Sequence, residues 1–213
     1  MTALPLENNL LLGALPPASL ERLRPALRIV EFQLSDRVYE AGSTPEALFP
    51  LDGILSLIQE LEDGSMIEVG VVGAEGLAGF STLLGVTTSP HTGLTQGRGL
   101  FAVCGERELR EAFNSDAALR DVVLRWTHVA LALIAQTAVC NRLHEADLRL
   151  AHWLLLIHDR AAADEISVTQ EFLGLMLGAR RATINEAMRR LVDSGSIEHR
   201  RGRVRVLDRA QLE

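Results

Sequence analysis

Two hydrophobic rhythms divide the chain. From Leu27 to about Cys104 the apolar residues come in short runs or alternate with polar ones: "LRIVEFQL", "RVYEAG", "ALFPLDG", "ILSLIQELEDGSMIEVGVV" and "GLFAVCG", separated by Gly, Pro and Asp-Gly. Alternation over four to eight residues places side chains on opposite faces of a strand, so these segments predict β-strands. "EDGS", Glu62–Ser65, sits between two of them as a hairpin signal. Short strands at this density predict a β sandwich, roll or barrel. Ahead of it, residues 5–26 predict short helices broken at Pro16-Pro17 and Pro25.

After Cys104 the rhythm changes. From Glu106 to Ala162 there is neither Gly nor Pro. Ser115 or Asp116 is a fitting N-cap for a long helix. Val122, Trp126, Val129, Leu133, Gln136 and Cys140 follow a 4-3-4-3-4 spacing, the seam of a coiled coil. Leu119, Val123, Ala130, Ile134 and Ala138 form a second apolar track. One track is expected to pack on the β body and the other on a second copy of the chain, giving a homodimer. A further helix over about 144–160 follows, then the short link "AAADE".

The C-terminal stretch has its own pattern. Thr169 is an N-cap candidate with Gln170 and Glu171 in the first turn, and Phe172, Leu173, Met176 and Leu177 form one apolar side. Gly178 ends that helix, because glycine tolerates the left-handed backbone a sharp turn requires. A second helix is predicted from about Arg180 to Ser194. Ile184, Ala187, Met188 and Leu191 repeat at i, i+3, i+4, i+7 on its buried face. Arg181, Asn185 and Arg189 line its other face, with Ala182, Glu186 and Arg190 beside them. The hairpin "SIEHRRGRVRVLD" follows, turning at Arg201-Gly202.

Charge sharpens this picture. The chain of 213 residues is acidic, with a formal net charge of −7, and all 21 of its basic residues are arginine. Residues 180–205 nevertheless hold eight arginines against three acids. A local basic surface on an acidic body points to a polyanion at one end of the molecule. Two helices around a tight glycine turn, with Arg and Asn facing out, follow the helix-turn-helix plan. The residue types suit base edges: Arg forks onto guanine, Asn pairs with adenine and Glu accepts from cytosine. Arg181, Asn185 and Glu186 are therefore candidate base readers, and Thr183 joins the candidate DNA-contacting set. Arg180, Arg189 and Arg190 are candidate phosphate contacts, and Thr169 and Gln170 are further candidate DNA-binding residues. Arg200, Arg201, Arg203 and Arg205 belong to a basic β wing.

Other chemistry finds little support. Cys104 and Cys140 are too few for a thiolate cluster or a disulfide framework, which suits a reducing compartment. The start "MTALPLENNLLLGALPP" has no basic n-region, and the longest apolar run, Val129–Ala135, falls far short of the roughly 20 residues that span a bilayer. A cytoplasmic protein without membrane contact is expected. A cupin-like enzyme would gather two or three histidines and a carboxylate on facing strands. Residues 1–115 contain one histidine, His91, and no nucleophile elbow. No catalytic residue and no metal site is assigned. A β-roll scaffold that binds no DNA is the rival from another class, and it would not require the Arg181–Asn185–Arg189 line.

These motifs resemble the Crp/Fnr family of bacterial transcription regulators. The match is strongest at "TQEFLGLMLGARRATINEAMRRLVDSGSIEHRRGRVRVLD", where the family carries a helix, "G-x-S-R-x-T-V" and a "G-x-I…G-x-I-x-V" wing. "RVYEAGSTPEALFPLDGILSL" resembles the family's opening strands, and "AQTAVCNRLHEADLRLAHWLL" the end of its dimer helix and the lead into its DNA domain. The resemblance implies an α+β fold: a double-stranded β-helix or jelly-roll sensor of the cyclic-nucleotide-binding type over 1–115, a dimerisation helix and hinge over 116–145, and a winged helix-turn-helix over 146–213. Double-stranded DNA is the implied partner, and RNA polymerase a further one that no readable surface specifies.

Departures from the family matter. Ala182 stands where an acid often follows the recognition arginine, and Glu186 where a second arginine is common, so the half-site is expected to differ from the family's best-known one. Cyclic-nucleotide binders carry Gly-Glu followed by Arg-Ser or Arg-Thr. Here "VVGAEGLAGFSTLLGVTTSPHTGLTQG" has Glu75-Gly76 and no arginine between Arg37 and Arg98. A phosphate buried without a cation is costly, so cyclic AMP is not the expected effector and no cofactor is assigned. Glu75, Gly76, Ser89 and His91 mark the candidate effector pocket. The iron–sulfur branch uses four cysteines, more than this chain has. Haem ligation through His91 stays open, although a lone histidine in a β body is more often a turn residue.

Overall fold

The computed structural model describes residues 6–161 and 165–213. The described elements run α1 (Leu10–Gly13), α2 (Pro17–Leu23), β1 (Leu27–Phe32), β2 (Arg37–Tyr39), β3 (Ala47–Pro50), β4 (Leu55–Glu60), β5 (Met66–Val72), β6 (Thr92–Thr95), β7 (Gly99–Cys104), α3 (Glu106–Ser115), α4 (Ala117–Leu143), α5 (Ala146–His158), β8 (Glu165–Ser167), α6 (Gln170–Leu177), α7 (Arg181–Asp193), β9 (Ile197–Arg200), β10 (Arg203–Val206) and α8 (Arg209–Leu212). Most of the link "AAADE" lies outside the described residues. The chain forms two compact units: 1–57 with 70–133, and 58–69 with 134–213.

The first unit is built on antiparallel strands. One sheet has the order β1-β7-β3, with Leu27 and Ala47 both opposite Cys104. The second sheet has the order β2-β6-β4-β5. Phe49, Phe101, Leu55, Leu77 and Leu109 are fully buried among the strands and α3, and Phe32 meets Phe101 edge-on with centroids 5.3 Å apart. The strands expected around Leu27, Arg37, Ala47, Leu55, Met66 and Gly99 all form. The "EDGS" turn is closed by the Leu61 N–H on the Ser65 carbonyl at 2.9 Å, with Gly64 at φ 80°. β6, "TGLT", was not expected, because nothing in it alternates; all four residues are buried.

The helical run after Cys104 divides at Asp116, which is extended at φ −114°, ψ 107°. Its Oδ1 accepts from the N–H groups of Ala118 at 3.0 Å and Leu119 at 3.3 Å, capping α4 as its sequence suggests. Leu119, Val123, Trp126 and Ala130 of α4 lie in the core of the first unit. By length and composition α4 would also pass as a membrane-crossing helix. The short run Val129–Ala135 did not suggest this, because Thr127, His128, Gln136 and Thr137 interrupt the apolar stretch on either side. The burial of one α4 face in a protein core is what an amphipathic helix of a globular domain shows.

In the second unit α5, α6 and α7 enclose Leu150, Leu154, Ile157, Leu173, Met176, Ile184, Ala187 and Met188, all buried. A three-stranded antiparallel sheet of order β8-β10-β9 adds Ile166, Val204 and Ile197 to the buried set. Trp153 meets Phe172 edge-on at 6.4 Å. Arg209 of α8 binds Asp159, just past α5.

Candidate nucleic-acid interface

Thr169 caps α6 as its sequence suggests: its hydroxyl accepts from the Phe172 N–H at 3.1 Å. Gly178 then takes the left-handed conformation, φ 55° and ψ 42°, and its N–H reaches the Gly174 and Leu175 carbonyls. An ordinary L-residue would be strained there by about 1–2 kcal/mol. Arg180 is extended and occupies the N-cap position, so α7 starts at Arg181 immediately after the turn. Burial of Ile184, Ala187 and Met188 orients α7 and leaves Arg181, Ala182, Thr183, Glu186, Arg189 and Arg190 exposed.

Asn185 behaves differently from its neighbours. It is half-buried, and its Oδ1 is buried with no hydrogen-bond partner. A buried amide oxygen without a donor is destabilising, and reading an adenine would require the amide to turn outward. Arg190 is engaged within the protein: it reaches Glu186 at 2.7 Å, Asp147 at 3.2 Å and Glu145 at 3.6 Å. The Glu186 and then the Asp147 hydrogen bonds raise its pKa above the ordinary arginine value. Arg190 and Glu186 thus hold each other in the DNA-free protein. The i,i+4 spacing of that pair was readable from sequence; Asp147 and Glu145, more than forty residues away, were not.

The wing is a tight hairpin. Arg200 pairs directly with Arg203 across β9 and β10, leaving Arg201-Gly202 as the loop. Both loop residues have positive φ, 50° and 77°, the signature of a type I′ turn. Arg203 and Arg205 alternate with the inward Val204 and share a face with Glu165 and Glu198, around a concavity of about 410 Å³. Arg200 pairs with Glu198 at 2.6 Å and Arg203 with Glu165 at 3.3 Å. Arg180, Arg181, Arg189, Arg201 and Arg205 make no ion pair among the described residues. Strand alternation turns Arg205 to the same side as Arg203.

The effector candidates form two separate pairs. Glu75 is half-buried and its carboxylate accepts the Gly73 N–H at 3.2 Å. The Gly76 carbonyl accepts from Asn9 Nδ2 at 2.9 Å, and a Cβ on Gly76 would lie 2.4 Å from the Trp126 ring. Trp126 Nε1 donates to the Leu77 carbonyl at 2.7 Å. Ser89 and His91 lie in another turn, where Ser89 Oγ donates to the His91 carbonyl at 2.8 Å. Burial raises the Tyr39 phenol pKa, with a hydrogen bond from Ser89 opposing it. His91 is half-buried, which lowers its pKa, and its Nδ1 is buried without a partner. No hydrogen bond joins the two pairs among the described residues, and no group of three or more potential metal ligands occurs among them.

Of the expected α4 seam, Trp126 and Cys140 are buried within their own chain, and Val122 and Leu133 are half-buried. Val129 and Gln136 are exposed, together with Ala132, Val139 and Leu143. The exposed apolar strip is therefore turned away from Trp126, which the period alone did not reveal because tryptophan fits either face.

Two helices about a left-handed glycine, α6 and α7, followed by the basic wing of β9 and β10, make a winged helix-turn-helix of the DNA-binding class. Residues 148–213 match the family of the Crp-like helix-turn-helix domain. The chain resembles three solved regulators along most of its length. These are FixK2 from Bradyrhizobium japonicum (15% identity, 87% of this chain and 95% of that one, TM-score 0.75), the c-di-GMP-responsive global regulator CLP from Xanthomonas campestris (15%, 90% and 99%, 0.74) and a transcriptional regulator of the CRP/FNR family from Thermus thermophilus (20%, 87% and 96%, 0.72). No curated protein sequence matches it. The chain has the fold of the Crp/Fnr-type DNA-binding transcription regulators, and its last 66 residues are their Crp-like helix-turn-helix domain.

Proposed function

We propose that this protein is a cytoplasmic, homodimeric, sequence-specific DNA-binding regulator of transcription. Each subunit lays α7 in a major groove, with Arg181 and Thr183 at base edges and Asn185 joining them once its amide turns outward. Arg180 and Arg189 contact the flanking phosphates, and Arg201 and Arg205 of the wing the backbone beyond. Arg190 stays with Asp147 and Glu145, which releases Glu186 to accept from a cytosine. Two inverted half-sites lie one helical turn apart. The observation that carries the reading is the left-handed turn at Gly178, which starts an exposed, arginine-lined helix beside a wing with unpaired arginines.

The dimer forms along α4. Val129, Ala132, Gln136, Val139 and Leu143 are exposed at 3-4-3-4 steps, the spacing of a coiled-coil seam. A signal received by the β body shifts the orientation of the DNA domains. Its chemistry is not that of a cyclic nucleotide, for want of an arginine to meet the phosphate.

Selection of binding sites from random duplexes tests this reading. It predicts enrichment of an inverted repeat with half-site centres about 10 base pairs apart. Enrichment of no sequence would remove the base-reading role of α7, and enrichment of a single half-site would remove the dimer.

A further inference from the structure

The geometry points to Arg149 as a positioning residue that locks the helix-turn-helix onto the last turns of α4. The inference rests on the DNA-reading role just proposed and adds a residue to it. Arg149 lies on α5, one turn from its start, within the apolar segment "ADLRLAHWLLLIH". It is half-buried, and no acid pairs with it among the described residues. An arginine desolvated in this way must meet other acceptors.

It meets two, on two different helices. Nη2 donates to the carbonyl of Leu177, the last residue of α6. The carbonyls of a final helical turn have no partner within the helix. At this end the N–H groups of Gly178 and Ala179 return to the carbonyls of Gly174 and Leu175, so Leu177 is left for Arg149. A cation also suits the negative end of the helix dipole. On its other edge, Nε donates to Asn141 Oδ1 at 3.1 Å, in the last turn of α4. The planar guanidinium fixes the two bonds relative to each other, which the single ammonium of a lysine could not do. One side chain thus connects α4, α5 and the turn that starts the recognition helix, across the short break between Leu143 and Ala146. Desolvation lowers the Arg149 pKa, consistent with the absence of an acid.

The role of such a clamp is to fix the angle at which each subunit presents α7, and so the spacing of half-sites that a dimer accepts. The test uses the full-length protein and fluorescein-labelled duplexes carrying the site selected by the wild type. One duplex holds a single half-site; the others hold two, with the centre spacing changed one base pair at a time. Each base pair turns a half-site by about 34°. The expected result is a split. Arg149→Met and Asn141→Ala keep single-half-site affinity within about twofold, while the preference for the optimal spacing over its neighbours falls about tenfold. Asn141→Asp, whose carboxylate accepts from the same Nε, keeps that preference. Asn141→Ala leaves the Leu177 cap in place, so it reports even if Arg149→Met does not fold.

Unchanged spacing preference in Asn141→Ala would overturn the inference. So would a loss of single-half-site affinity equal to the loss on paired sites, which would make Arg149 a folding residue only. Amide exchange without DNA separates these failures from failure of the DNA-reading role. Asn141→Ala should raise exchange in the last turn of α4, at Leu143 and His144, several-fold, because the tether to Arg149 is lost there, and no change there would overturn the clamp whether or not the protein binds a duplex.

Discussion

At Arg201 the geometry of the wing and its proposed task pull in opposite directions. The residue takes φ 50° in a two-residue loop closed by Gly202. The left-handed region costs an ordinary L-residue about 1–2 kcal/mol, whereas asparagine tolerates it, and Asn-Gly is the preferred type I′ pair. Arg201→Asn should therefore stabilise the second unit by about 0.5–1 kcal/mol, because asparagine escapes part, not all, of the left-handed cost. The same change removes a cation that has no ion pair among the described residues. If each subunit loses one phosphate contact, the slope of log K against log salt should become shallower by about 1.8 for a dimer. Each lost contact also weakens the salt response between 50 and 200 mM by about 3.5-fold. Urea unfolding followed at Trp153, in a Trp126→Phe background so that one indole reports, gives the first quantity. Fluorescence anisotropy on a labelled duplex at graded salt gives the second. A lower urea midpoint would refute the strain argument, and an unchanged slope would take Arg201 off the phosphate backbone.

Arg181→Ala should weaken specific binding by about 1–3 kcal/mol and relax one base position; repeated duplex selection with the variant reads both, and an unchanged preference would remove Arg181 from base reading. Trp126→Phe should destabilise the first unit by about 1–3 kcal/mol, because the Leu77 carbonyl loses its indole donor in a buried place, and a midpoint within experimental error of the wild type would mean the carbonyl finds another donor. Burial pushes the Cys104 thiol up to about 12, so at pH 8 it stays protonated and iodoacetamide should modify it only as fast as the protein unfolds. Mass spectrometry of the native protein measures this, and rapid native alkylation would contradict the burial.

The helix-turn-helix was largely legible in the sequence because it depends on local rules. A threonine cap, a glycine in the left-handed region and a 3.6-residue period each act within a few positions, and all appear as expected at Thr169, Gly178 and Ile184–Met188. Features that depend on distant partners were not legible. β6 is a strand because it is buried between β2 and β4, not because its own residues alternate. β8 is three residues long and forms by pairing with β10. The pairing of Arg190 with Asp147 and Glu145 joins positions that no spacing connects. Trp126 was readable as apolar, but only the adjoining Gly76 and Leu77 decide that it faces its own core. Arg149 left one trace, a lone cation in an apolar helix, and its two acceptors could be known only from the fold.

The most direct test of the account is the salt dependence of binding to the selected duplex. Arg180, Arg189, Arg201 and Arg205 in each of two subunits imply about eight phosphate contacts, hence a slope near −7 for log K against log salt. Binding that is tight at low salt and weakens along such a line is the predicted result. A slope shallower than about −2, or no binding even in dilute buffer, would contradict the claim that this arginine-lined helix and wing grip a duplex.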